Sequence, residues 1–165
     1  RWRPERPRRK RRLAPGGAAV RTRRRNALEE TLFMIKPDAV QARKAGLILA
    51  EVERAGFEIV EMRLVRLTAE DARRFYAVHE GKPFLGELVS FMSSGPAIPC
   101  RLRRGNAVQA LRDLIGATDP KEAKPGTIRA QYAESKGKNA VHASDFRENA
   151  KAEIDFFFGA RAERG

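Results

Sequence analysis

The sequence is short of the residues that build disulfides, closed zinc sites and membrane spans. Its single cysteine, Cys100, excludes an internal disulfide and suits a reducing compartment, so we expect a cytoplasmic protein. Two histidines, His79 and His142, together with one cysteine are too few for the usual structural zinc site. No stretch approaches the roughly 18 consecutive apolar residues of a membrane-spanning helix, so no membrane is expected as a partner. With 165 residues, 42% of them hydrophobic, we expect one compact domain.

Acidic residues are nearly missing from the first 26 positions. This segment holds twelve of the 34 Arg and Lys residues but only Glu5 of the 21 acids, and the rest of the chain is nearly balanced at 22 bases against 20 acids. The segment has no hydrophobic period and several Pro and Gly residues, so residues 1–27 are predicted to be a disordered, Arg-rich extension. We assign residues 28–160 to the folded domain and 161–165 to a C-terminal tail.

The function of the extension stays open at this point. It lacks the apolar centre of a secretory signal. It is Arg-rich and acid-poor like an organellar targeting segment, but it contains no Ser and no amphipathic stripe. Residues 1–26 also fit a translated upstream region, a tail without a catalytic role, or an arm that binds nucleic acid through phosphate contacts.

Hydrophobic periodicity in the first half of the domain predicts alternating strands and helices. Alternation over Thr31–Ile35 and Phe57–Val65 predicts two strands. An apolar stripe at i, i+3, i+4 and i+7 from Ala45 to Val52 predicts an amphipathic helix. Thr68 is predicted to cap the next helix, and a second short helix is expected after Pro83.

The second half predicts a weak strand at 97–102, because Pro99 interrupts it, and a helix at 106–114. Residues 115–138 are predicted to form a long loop, which in a compact domain is usually functional. A short strand at 140–143 comes next. Asp145 and Glu148 then predict a capping box for the last helix. The buried face of that helix is predicted to carry Phe146, Ala150, Ile154 and Phe157.

This order of elements predicts an α+β sandwich with helices on one side of a mostly antiparallel sheet. The usual glycine-rich phosphate loops are absent, since the sequence contains neither G-x-x-x-x-G-K-[ST] nor G-x-G-x-x-G. Side chains suited to phosphate instead concentrate on or beside the long loop, because Arg forks pair with phosphate oxygens. They are Arg112, Thr118, Lys124, Arg129 and Lys138.

Several segments together resemble one family. They are Thr31–Asp38 (TLFMIKPD), Phe75–Glu80 (FYAVHE), Pro83-Phe84, Ser94–Pro96, Gly116–Pro120 (GATDP), Lys124–Arg129 (KPGTIR) and Asn139–Asp145 (NAVHASD). Over residues 30–158 the chain resembles the nucleoside diphosphate kinases, especially bacterial members. The resemblance implies a ferredoxin-like sandwich with a four-stranded sheet covered by helices and a long nucleotide-binding loop. It also implies Mg²⁺-dependent, reversible transfer of the terminal phosphoryl group from a nucleoside triphosphate to a nucleoside diphosphate through a phosphohistidine, which maintains nucleotide pools.

The resemblance implies a role for each matching residue. His142 is expected to be the nucleophile, oriented by Glu153, which Ser144 braces. Lys36 and Tyr76 are expected at the transferred phosphoryl group, with Lys36 and Asn139 also at the sugar hydroxyls. The remaining nucleotide contacts are expected from Arg112, Thr118 and Arg129 on the phosphates and from Phe84 on the base. No protein side chain is expected to hold the metal, because Mg²⁺ would bridge the phosphates.

Two features depart from the family pattern. Ala143 replaces the usual glycine after the histidine, which would strain the turn if that position needs a positive φ. The usually apolar strand near 97–103 carries Pro99 and three arginines, which puts its length and packing in doubt. The set of expected catalytic residues is nevertheless complete, so we expect an active kinase, and the resemblance implies a homotetramer or homohexamer. The alternative is an inactive or moonlighting homologue that acts as a scaffold or binds nucleic acid through its basic tail.

Overall fold

The computed structural model describes residues 27–159. The strands are β1 (Leu28–Ile35), β2 (Glu58–Met62), β3 (Val65–Arg66), β4 (Pro96–Gly105) and β5 (Val141–Ala143). The helices are α1 (Pro37–Gln41), α2 (Ala45–Arg54), α3 (Ala69–Phe75), α4 (Leu85–Met92), α5 (Ala107–Ile115), α6 (Ile128–Tyr132) and α7 (Arg147–Phe158), with a 3₁₀ turn at Ala77–His79. Apart from Ala27, the predicted extension lies outside the described residues, as do residue 160 and the tail, so these assignments stay predictions.

The strands form an antiparallel sheet in the order β2-β4-β1-β5, and the short β3 pairs with the start of β4. β1 pairs with β4 over its whole length, from Leu28 opposite Gly105 to Ile35 opposite Ile98. On its other edge, Met34 of β1 lies opposite His142 of β5. This arrangement confirms the predicted α+β sandwich: four antiparallel strands form the main path of the sheet, and the two-residue β3 is a fifth strand beside it. The strand predicted at 57–65 is wrong in one respect, since it is divided into β2 and β3.

Helices cover both faces of the sheet, so the prediction of helices on one side is wrong. Phe33 and Ile35 of β1 pack in a core with α2 and α5. Leu32 and Met34 point the other way and pack in a second core with α3, α4 and α7. β1 is buried on both faces because each neighbouring residue faces a different helix layer.

Pro99 does not interrupt β4, which runs for ten residues through the middle of the sheet. Its carbonyl accepts a hydrogen bond from the N–H of Arg63, which lies in the break between β2 and β3. In an antiparallel strand the backbone N and C=O of one residue point to the same neighbouring strand. The nitrogen of Pro99, which carries no hydrogen, therefore points to the break between β2 and β3, and no hydrogen bond to β1 is lost.

The arginines of β4 pair with carboxylates on the neighbouring strands. Arg101 binds Glu30 of β1 and Glu61 of β2, each at 2.8 Å, and Arg103 binds Glu58 through two hydrogen bonds. Cross-strand pairs of opposite charge stabilise a sheet. The doubt about the length and packing of this strand is therefore answered, since β4 runs for ten residues with Arg101 and Arg103 paired.

Three local predictions at the C-terminal half are wrong. The loop at 115–138 contains α6, which is too short to show a hydrophobic period. Asp145 does not cap α7, whose N-cap is Phe146 without a side-chain cap hydrogen bond. Phe146 is 66% exposed, so the buried face of α7 consists of Ala150, Ile154 and Phe157.

Ala143 is not strained. The non-glycine residues with positive φ within residues 27–159 are Arg43, Asn106 and Ala140, and Ala143 lies in regular β5 opposite Phe33. The replacement of glycine therefore imposes no left-handed backbone beside His142.

Candidate active site

His142 lies in β5, at the edge of the sheet, and its ring is fixed by a carboxylate from α7. The ring Nε2 is 2.8 Å from Oε1 of Glu153, and the two side chains are 20% and 18% exposed. If Nε2–H donates to this carboxylate, the neutral ring carries its lone pair on Nδ1. The contact therefore leaves one ring nitrogen available as a nucleophile.

Ser144 holds the other side of the same carboxylate. Its hydroxyl donates to Oε2 of Glu153, and it is completely buried against β1. The N–H of Leu32 donates to the Ser144 Oγ over 3.3 Å. The sheet backbone, Ser144, Glu153 and His142 thus form a continuous chain of hydrogen bonds, in which the rigid strand sets the orientation of the ring.

Aromatic side chains of the α3 region form a wall beside the ring of His142. The ring centroids of Phe75 and Tyr76 lie 5.3 Å and 6.1 Å from it, both edge-on. The Tyr76 hydroxyl is buried without a hydrogen-bond partner in the described part of the chain. Burial, and then the negative charge of Glu153, raise the pKa of the Tyr76 phenol well above its ordinary value, so it stays neutral.

Lys36 and Asn139 meet where β1 ends and β5 begins. The Lys36 Nζ donates to the Asn139 Oδ1 over 2.8 Å, and the two residues are only 6% and 5% exposed. Burial lowers the pKa of Lys36 to about 8, the Arg129 guanidinium adds to this shift, and Asp38 opposes it. A buried cation is costly unless a counter-charge compensates it, which makes this lysine suited to an anionic ligand.

Arg129 of α6 ties the long loop to β5. Its guanidinium donates to the carbonyls of Asn139, Gly116 and Val141, over 3.4, 3.2 and 2.9 Å. Burial lowers the pKa of Arg129 to about 10, with Arg112 adding to the shift and Asp145 opposing it. An arginine has five N–H donors, so this one keeps donors for a ligand after holding the loop.

Arg112 of α5 is the exposed member of the cation group. Its Nη1 donates to Oδ1 of Asp145 over 2.5 Å, with side chains 41% and 59% exposed. Sequence reasoning assigned Asp145 to a helix cap and missed this partnership. The two residues are 33 positions apart, so no local pattern could have shown it.

Thr118 is exposed in the loop that follows α5, two residues after Gly116. Gly116 has φ 84, and a Cβ there would lie 2.5 Å from the Thr127 Oγ1. Only glycine adopts this backbone freely and also allows the close approach. Gly116 therefore lies against Thr127 at the start of α6, and its carbonyl accepts a hydrogen bond from Arg129.

Phe84 stands apart from this group and is 48% exposed at the start of α4. The ring of His79 lies 5.2 Å from it and stacks on Tyr76 at 6.2 Å. Sequence reasoning gave His79 no role, although it belongs to the FYAVHE segment. It links the exposed Phe84 to the aromatic wall beside His142.

The structure thus brings together His142, Glu153 and Ser144 on one side, and the pair Lys36 and Asn139 with Arg129 on the other. Phe84 and Thr118 are exposed, and Phe84 is linked to this group through the ring of His79. Arg129 donates to the Val141 carbonyl and the Lys36 N–H donates to the Ala140 carbonyl, so the backbone ties both residues to positions within two residues of His142. A histidine with a free ring nitrogen in such a group is suited to accepting a phosphoryl group, because fixed positive charge stabilises the transferred oxygens. No helix in the part of the chain described here is long and apolar enough to cross a bilayer.

Comparison with known proteins decides the family. The profile described as "Nucleoside diphosphate kinase" matches residues 29–162, which is most of the chain.

The chain belongs to the nucleoside diphosphate kinase family.

Relatives of high identity carry the same name. The nucleoside diphosphate kinase of Chlorobium luteolum is 55% identical over 133 residues, covering 81% of this chain and 95% of that protein. The one from Campylobacter fetus is 52% identical over 134 residues, covering 81% and 98%. These matches to bacterial proteins confirm the predicted membership.

Solved structures of nucleoside diphosphate kinases confirm the fold. The Aquifex aeolicus enzyme superposes with a TM-score of 0.80 at 45% identity, covering 82% of this chain and 99% of that one. The Halobacterium salinarum enzyme, solved in complex with CDP, gives a TM-score of 0.77 at 39% identity, covering 81% and 90%. The chain is therefore a nucleotide-binding phosphotransferase, which transfers phosphoryl groups between nucleotides.

Proposed function

We propose that this kinase transfers the terminal phosphoryl group through a covalent phosphohistidine on His142. The observation that supports this most directly is the 2.8 Å contact between His142 Nε2 and Glu153, which leaves Nδ1 free. In the first half-reaction the Nδ1 lone pair attacks the γ-phosphorus of a nucleoside triphosphate. The bond from that phosphorus to the β–γ bridging oxygen breaks, and the nucleoside diphosphate leaves with its electrons. The reverse reaction with a second diphosphate restores the imidazole.

Glu153 and Ser144 act on the ring rather than on the substrate. The carboxylate keeps the Nε2 proton in place and compensates the positive charge that develops when Nδ1 forms its bond to phosphorus, as in a hydrolytic triad. Ser144 keeps that carboxylate from rotating, since it is buried and hydrogen-bonded to β1. Tyr76 packs against the ring and limits the directions from which phosphorus can approach.

The cation group holds the phosphates. Lys36 contacts the transferred phosphoryl group and, with Asn139, the sugar hydroxyls. Arg112 of α5, together with Thr118 and Arg129 of the long loop, binds the β- and γ-phosphates. The lowered pKa values of Lys36 and Arg129 show that burial and neighbouring cations disfavour their charged forms. A bound phosphate would offset this cost, because a nearby opposite charge stabilises a buried cation.

Phe84 stacks on the base at the rim of the site. Its ring is exposed and braced by His79. Stacking without hydrogen bonds to base edges tolerates any base. We therefore propose broad nucleotide specificity, consistent with a role in balancing nucleotide pools.

The proposed cofactor is Mg²⁺. Within residues 27–159 no group of three or more His, Cys, Asp or Glu side chains is placed to hold a metal ion, whereas Lys36, Arg112 and Arg129 form a site for phosphate. We propose that the metal would be held through the phosphates of the nucleotide, while these cations would hold the remaining phosphate oxygens. When bound, Mg²⁺ neutralises part of the phosphate charge.

Labelling with γ-³²P-ATP tests the proposal, since the chain has only two histidines. The wild type should acquire an acid-labile, base-stable label that added GDP removes. A His142→Asn variant should acquire none, whereas His79→Asn should still be labelled. Full turnover by His142→Asn would refute the assignment.

We also propose a homotetramer or homohexamer in the cytoplasm. The assembly is supported by the family resemblance, and the reducing compartment by the single thiol Cys100, which is free and buried. Light scattering on the full chain, with the mass compared at several concentrations, tests the assembly. A monomer at micromolar concentration would contradict it.

A further inference from the structure

A tight turn of unusual geometry separates Asn139 from His142. The Val141 N–H donates to the Asn139 carbonyl over 2.8 Å, which closes a three-residue turn around Ala140. Ala140 has φ 70, in the left-handed region, and it is completely buried. A turn of this hand with a non-glycine centre is rare and strained. It persists only where its surroundings hold it.

The segment Lys36–Asp38, which follows β1, forms hydrogen bonds to both backbone groups of Ala140, the central residue of this turn. Oδ2 of Asp38 accepts a hydrogen bond from the Ala140 N–H over 3.0 Å. The Lys36 N–H donates to the Ala140 carbonyl over 2.9 Å. Arg129 supports the flanking carbonyls of the turn, as described above. The Asp38 side chain thus supplies the hydrogen-bond acceptor for the backbone N–H of Ala140, the strained residue.

The second oxygen of the same carboxylate has a different role. Oδ1 of Asp38 is buried without a hydrogen-bond partner in the described residues. A buried carboxylate oxygen without a hydrogen bond needs a nearby cation. The charge of Asp38 acts on Lys36 and opposes the effect of burial and of Arg129 on the pKa of this lysine.

We propose that Asp38 is a positioning residue for phosphoryl transfer, because its carboxylate holds the turn at Ala140 and thereby fixes Asn139 and His142 relative to Lys36. This inference rests on the proposed role of His142. Asp38 does not touch the reacting atoms. It acts through the backbone of the turn and through the charge that it presents to Lys36.

Two substitutions separate these actions. Asp38→Ala removes the acceptor and the charge, and it should slow single-turnover phosphorylation of His142 from labelled ATP by about tenfold. Asp38→Asn keeps an oxygen that can accept from the Ala140 N–H but removes the charge. It should retain more activity near pH 7 than Asp38→Ala. The exposed Glu53→Gln of α2 is the matched control for loss of a carboxylate.

The pH profile provides a readout that a purely structural defect would not move. The groups that face the Lys36 ammonium are Asp38, Arg129, the side-chain Oδ1 of Asn139 and the Phe91 ring at 5.8 Å. Without the negative charge of Asp38, the pKa of Lys36 falls further, so Lys36 loses its proton at lower pH. The alkaline limb of activity should therefore move to lower pH in Asp38→Asn but not in Glu53→Gln.

A double-mutant cycle with Ala140→Gly tests the turn itself. Glycine adopts positive φ without strain, so Asp38→Ala should cost less activity in the Ala140→Gly background than in the wild-type background. Equal losses in the two backgrounds, or a single-turnover rate for Asp38→Ala equal to that of the wild type, would overturn the inference. Thermal unfolding of each variant shows whether the rates are those of folded protein. A wild type that takes no label on His142 would instead refute the proposed function.

Discussion

The contact between His142 and Glu153 leads to the sharpest quantitative prediction. Glu153→Gln keeps the size of the side chain but removes its charge. If the amide oxygen faces Nε2, the amide nitrogen faces the Ser144 hydroxyl, which must then stop donating to residue 153. If the amide nitrogen faces Nε2 instead, the ring must carry its proton on Nδ1, and the nucleophilic lone pair is lost. Either arrangement disturbs the chain of hydrogen bonds that fixes the ring.

The expected magnitude follows from the bond that is lost. A hydrogen bond to a charged group contributes about 1.5–3 kcal/mol, and both side chains here are mostly buried, so little of this is lost to solvent. At 1.36 kcal/mol per factor of ten, the rate of phosphohistidine formation should fall between about tenfold and about 150-fold.

Rapid-quench measurement of single-turnover labelling from γ-³²P-ATP gives this rate directly. The matched control is Glu148→Gln, which changes an exposed glutamate in the first turn of the same helix and should leave the rate unaltered. If Glu153→Gln formed phosphohistidine within about twofold of the wild-type rate, the orienting role of Glu153 would be refuted.

Three further predictions follow from charge, backbone geometry and domain division. The pKa of Lys36 lies at about 8, below its ordinary value, so Lys36 is charged at pH 7 and activity should fall as the pH rises through about 8. Lys36→Arg stays protonated, so it should move the alkaline limb of the activity profile to higher pH even if its turnover is lower. Gly116→Ala places a Cβ at a positive φ and against Thr127. It should lower the free energy of unfolding, measured in urea, by about 1–3 kcal/mol and raise the KM for nucleotide. Unchanged values would show that the loop accommodates the methyl group. Removal of residues 1–26 should leave kinase turnover intact while abolishing any salt-sensitive binding to DNA or RNA; loss of turnover would mean that the domain begins earlier than residue 28.

Sequence patterns predicted those elements whose stability is local. The apolar stripe from Ala45 to Val52 identified α2, since the spacing of a helix places these residues on one face. Thr68 caps α3 as expected, and it forms a full capping box with Asp71, because both partners lie within one turn. The roles expected of His142, Glu153 and Lys36 came from the family resemblance, since a lone histidine in a short strand has no local signature.

The order of residues alone indicates which segments alternate between the two faces of a sheet and which residue types are available for phosphate chemistry. The contacts of each of those residues are set by the folded chain. Asp145 pairs with Arg112 rather than with a helix end, and Asp38 accepts from the N–H of Ala140, more than a hundred positions away. Pro99 fits a central strand because its missing N–H faces the break between β2 and β3. Such outcomes depend on which backbone groups the folded sheet leaves unpaired, and those groups are defined only when distant strands meet.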